Sequence, residues 1–168
     1  MEQKIKIGLV IFFAVFLQIS FFPRIAFQGI VPDIILVLII LWSFRKKFED
    51  IWPWAIFSGI ILDVAMLGKI GINTISFLIL SFATSFLQER FFIAQRTGSF
   101  FIALAIVVGG TFLNELMISV LVDFSTKLFL ENIILKIVVN VIVAVFLYWL
   151  IAKFKKFFGI SESKLSVG

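Results

Sequence analysis

Four ionisable residues stand inside long apolar stretches of the sequence: Asp33, Asp63, Glu115 and Lys136. Asn73, Asn114 and Asn140 are their neutral polar company. An ionisable group within a bilayer costs about 2.5–3.5 kcal/mol on insertion scales, so each needs a partner or a function. Two membrane acids can form a catalytic dyad, and a run of them can carry protons or ions. The glycine motifs that an intramembrane aspartyl site needs do not surround these acids. No Gly-rich phosphate loop, Ser–Lys pair or metal-ligand spacing occurs either. The chain has no Cys and no His. Thiolate nucleophiles, disulfides, zinc–thiolate sites, Fe–S clusters and imidazole bases are therefore excluded. Neither an enzyme nor a cofactor or metal site is expected.

The elements that must hold these groups are membrane helices. Of 168 residues 62% are hydrophobic and 15% charged, against about half and about a quarter in soluble domains. So small a chain has too little interior to hide that much apolar surface from water. A soluble enzyme, a disordered tail and a nucleic-acid-binding domain are out. The apolar runs cover residues 5–22, 32–44, 51–67, 71–88, 99–122 and 133–154. Each is read as a span of one integral membrane domain, an all-α bundle of six helices. The first run is too long for a signal-peptide core and is read as retained. The second, at 13 residues, makes roughly 20 Å of helix. It either begins earlier, near Phe27, or lies tilted and covered by neighbours. Gly109-Gly110 in the fifth run suggests a tilt or kink.

Net charge is +5, and its distribution orients the bundle. With both termini cytoplasmic, eleven of the fifteen Lys and Arg residues fall inside and four outside. The stretch Lys153-Phe-Lys-Lys-Phe-Phe158 alternates cations with aromatics and suits anionic lipid at the inner interface. In this topology the polar groups gather in the outer half, either as one cluster or as separate residues. Asp33 follows Pro32 at a helix start, where a carboxylate accepts orphan N–H groups. Lys136 either snorkels outward or pairs with Asp63 or Glu115. Ser58, Gly59, Ser76, Ser81, Ser85, Gly109 and Gly110 suit close helix packing. Trp42, Trp52, Trp54 and Trp149 fall near inner boundaries and read as interface belts.

The strongest local pattern runs from the second apolar run to the fourth. It begins Pro32-Asp33-Ile-Ile-Leu-Val-Leu and passes the basic loop Arg45-Lys-Lys. It then reads Gly59-Ile-Ile-Leu-Asp63 and Gly68-Lys-Ile-Gly71-Ile-Asn73. This resembles the rod-shape-determining MreD family over about positions 30 to 90. The resemblance implies a non-enzymatic scaffold of the bacterial cytoplasmic membrane. It implies an MreC-like single-pass partner, and through it MreB and the glycan polymerase and transpeptidase of wall elongation. It also implies a fold similar to the substrate-binding subunits of energy-coupling-factor vitamin transporters. Such a subunit is the rival reading. Against it, the first run lacks their Ala-x-x-x-Ala docking motif, and the aromatics within the spans are mostly Phe.

Overall fold

The computed structural model describes residues 2–26, 29–65, 71–91, 96–122 and 126–153. Among them are six α-helices and a short 3-10 turn over Phe22–Ile25. Helix α1 spans Glu2–Ser20, α2 Ile34–Ser43, α3 Phe48–Ala65, α4 Ile72–Phe91, α5 Arg96–Val122 and α6 Thr126–Lys153. No strand occurs among the described residues.

The shortest helix is the centre. Helix α2 reads Ile-Ile-Leu-Val-Leu-Ile-Ile-Leu-Trp-Ser and has no polar face. A helix that is apolar all round must be buried all round. Every residue from Ile34 to Ser43 is buried, and α2 touches all five other helices. Around it α1, α3, α4, α5 and α6 follow in that order, each against the next. Among the described residues α1 and α6 do not meet. Ten residues make about 15 Å of helix, half the thickness of a bilayer core. Cover by neighbours explains so short an apolar helix. It does not begin near Phe27: Val31, Pro32 and Asp33 are non-helical.

Outside this core the apolar side chains point away from the protein. Phe12, Phe13, Phe101, Ile142 and Phe146 are each more than half exposed. An apolar exterior of this extent fits a chain whose solvent is lipid. By length and composition two helices are clearly able to cross a membrane, over Phe100–Val120 and Asn132–Lys153.

Helix α6 begins at Thr126, ahead of the apolar run that starts at residue 133. The residues between contain no Gly or Pro, and Leu, Lys and Glu are good helix formers. One expectation, the tryptophan belt, needs correction. Trp42 is not an interface residue: it is 1% exposed and sits in the core on α2. Trp54 packs against α1, where a Cβ on Gly8 would come within 2.9 Å of its ring. Only Trp52 and Trp149 of the four are exposed. Helix α5 is continuous through Gly109-Gly110. Gly110 serves close packing, since a Cβ there would lie 2.9 Å from Ile40 Cδ1 and 3.2 Å from Leu80 Cδ2.

Candidate functional site

The polar residues form three separate constellations. The first surrounds the start of α2. The first N–H groups of any helix lack intrahelical acceptors, and at a buried helix start water cannot supply them. Asp33 is the N-cap, and its Oδ1 accepts from Leu36 N at 3.2 Å. Two other helices complete the cap. Gln18 of α1 accepts from Ile35 N at 2.9 Å through Oε1 and donates from Nε2 to Asp33 Oδ1 at 2.9 Å. Asn140 of α6 accepts from the Asp33 backbone N–H at 2.8 Å. Its amide donates onward to Thr111 Oγ1 of α5 at 3.0 Å. Asn114, also on α5, donates to Asp33 Oδ2 at 3.4 Å. Asp33, Gln18, Asn114, Asn140 and Thr111 are all buried. Four helices therefore converge on one aspartate, with no cation beside its carboxylate among the described residues.

The second constellation closes the α3–α4 hairpin. Gly71 precedes α4 with φ +105°, a conformation that favours glycine. Glycine has no side chain with which to cap, and Asp63 near the end of α3 takes that role. Its carboxylate accepts from Gly71 N at 2.9 Å, Asn73 N at 2.9 Å and Thr74 N at 3.3 Å. It also accepts from Asn73 Nδ2 at 3.0 Å and Thr74 Oγ1 at 2.8 Å. This reach requires the two helices to lie close. Gly59, one turn before Asp63, permits it: a Cβ there would sit 2.5 Å from Thr74 Cα.

The third is an ion pair. Lys136 Nζ donates to Glu115 Oε1, joining α6 to α5. Of the two expected partners of Lys136 the structure thus selects Glu115. Thr111, one turn from Glu115, belongs to the Asp33 network instead. Both members of the pair are about one-fifth exposed, at 22% and 21%, so they stand at the edge of the bundle.

Chemically, these arrangements bind helices together. The oxygens of Asp33 and Asp63 accept hydrogen bonds from the protein itself, which leaves neither poised as a base or nucleophile. No group of three or more acidic residues that could hold a metal occurs among the described residues. Pro32 precedes the Asp33 cap, and Gly59, Asp63, Gly71 and Asn73 all meet at one hairpin. Sequence reasoning missed Thr74, which donates twice to Asp63, and Gln18. Both are uncharged and lie in apolar runs, so a search for ionisable groups passes over them. Beyond Lys153, the basic-aromatic stretch lies outside the described residues.

A family model for the rod shape-determining protein MreD matches residues 3–158. Comparison with curated proteins and with solved structures gives no match. The expected likeness to vitamin-transporter subunits therefore has no matched structure behind it. The matched stretch contains both capped helix starts and the ion pair. The chain belongs to the MreD family, bacterial inner-membrane proteins that act in rod shape determination and are not known as enzymes.

Proposed function

We propose that the protein is a multi-pass scaffold of cell-wall elongation. In this reading all six helices cross or enter the bilayer as one domain, with both termini cytoplasmic. The bundle holds the single membrane helix of an MreC-like partner. Through that partner it connects to MreB and to the glycan polymerase and transpeptidase. The turns that would face outward, at Asp33 and at Asp63 to Asn73, meet the partner's juxtamembrane segment. Glu115 and Lys136 keep α5 and α6 in register beside them.

The family match over residues 3–158 carries this reading. The use of Asp33 and Asp63 as internal caps supports it, because a scaffold needs a fixed shape more than an open site. The test is recovery of the partner from native membranes with tagged protein in mild detergent. Wild type should recover an MreC-like protein. Asp63→Ala should lose that recovery while the protein remains in the membrane. Undiminished recovery by Asp63→Ala would remove Asp63 from the partner's footprint. Recovery of a transporter coupling subunit with its ATPases would overturn the scaffold reading.

A further inference from the structure

One cation is held by the fold with no acceptor for its side chain among the described residues. Arg45 follows the C-cap of α2, and its backbone N–H donates to Trp42 O at 2.8 Å. It is thereby pinned to the end of the wholly buried helix. Its guanidinium carbon lies 5.1 Å from the centroid of the Tyr148 ring on α6. Phe100 of α5 holds that ring, with centroids 5.0 Å apart and planes at 64°. Three elements of the bundle therefore fix one guanidinium.

Such an arginine ordinarily meets a carboxylate. Glu49 and Asp50 stand in the first turn of α3, close in sequence, yet neither forms an ion pair with Arg45. Nor does a hydrogen bond join its side chain to another described residue. Burial pushes the guanidinium below its ordinary value, and Tyr148 opposes that shift. An anion placed against the free donors would restore the lost solvation. A guanidinium presents five N–H groups in a planar fork that matches phosphate oxygens two at a time. The surroundings indicate the depth. Lys153 lies over the Trp149 ring at 4.9 Å, and Trp149 is 56% exposed. Exposed Trp beside cations marks the headgroup level of a bilayer.

We propose that Arg45, seated on Tyr148 at this end of the bundle, binds the phosphate of an anionic phospholipid. The assignment takes its membrane placement from the proposed function and adds a ligand to it. The Tyr148 ring, held by Phe100, forms the floor on which Arg45 rests.

The test uses full-length protein in mild detergent, followed by native mass spectrometry. The probes are phosphatidylglycerol, phosphatidylcholine and inorganic phosphate. Wild type should retain phosphatidylglycerol about tenfold better than phosphatidylcholine, the scale of one or two charge-assisted hydrogen bonds. Arg45→Gln should lose the preference. Arg45→Lys should keep part of it, because it retains the charge without the fork. Equal retention of the two lipids by wild type overturns the site, as does an unchanged preference in Arg45→Gln. Displacement of phosphatidylglycerol by an equal concentration of inorganic phosphate would make the ligand a free anion and overturn the lipid. Loss of partner recovery in Arg45→Gln with lipid preference intact would assign Arg45 to a protein acceptor instead. If Arg45→Gln does not fold, the wild-type lipid comparison and Arg45→Lys decide. Lost lipid preference with normal partner recovery leaves the scaffold reading intact, and the converse leaves the lipid site intact.

Discussion

Helices α2 and α4 each start at a buried aspartate, but the two caps are assembled differently. Asp63 reaches forward to residues 71, 73 and 74, at most 11 positions along the chain. The donors and the carboxylate belong to one hairpin, and Gly59 supplies the close approach within it. Asp33 sits on the helix that it caps, and its helpers come from 15 positions upstream and 107 downstream. One cap is a local device that a hairpin can form alone. The other exists only when α1, α2, α5 and α6 are together. The difference separates a element-level interaction from one that reports the whole bundle.

Substitution can break or sharpen that contrast, read as stability in detergent unfolding followed by helicity. Asp33→Ala should be the most damaging, at about 3–5 kcal/mol, because it strands buried donors on three helices. Gln18→Leu should couple to it strongly, so that the double variant loses less than the sum. Additive losses would show that the four-helix network is not one unit. Asp63→Ala should cost about 2 kcal/mol, less than Asp33→Ala, because Gly71, Asn73 and Thr74 are partly exposed and can find other partners. Coupling of Asp33→Ala to Asp63→Ala above about 0.5 kcal/mol would erase the distinction between the two caps.

Gly59→Ala tests the hairpin from its other side. A Cβ at 2.5 Å from Thr74 Cα forces α3 and α4 apart, at about 1–3 kcal/mol. In an Asp63→Ala background it should cost less, since the hydrogen bonds it would stretch are already gone. Glu115→Gln should have the smallest effect, at about 0–1 kcal/mol. Lys136 is at the edge of the bundle and can extend toward headgroups once its partner loses charge. A loss as large as that of Asp33→Ala would make the pair a third essential joint.

The same contrast explains what was legible in the sequence. Runs of apolar residues announced six helices, because apolarity without period accompanies burial or lipid. The α4 cap was nearly written out in order, from Gly59 through Asp63 to Gly71 and Asn73. Asp33 was legible as a cap because Pro32 and an apolar run flank it. Its helpers were not, because nothing in the chain near Gln18 or Asn140 says that they meet. Trp42 misled for a related reason: end position suggested the interface, whereas α2 is covered along its whole length. Lys136 could not be assigned from sequence, since choosing between Asp63 and Glu115 requires knowing that α5 neighbours α6.

The central position of α2 also bears on how the protein is made. A helix about 15 Å long, with a carboxylate at its head, has no stable residence of its own between two leaflets. It leaves the ribosome well before α6, and the amide that accepts from the N–H of its N-cap, Asp33, is 107 residues behind it. During synthesis α2 is a guest without a house. Its cover is complete only once α6 has joined α1, α3, α4 and α5 around it. Chains interrupted before Asn140 should be the ones that quality-control proteases remove.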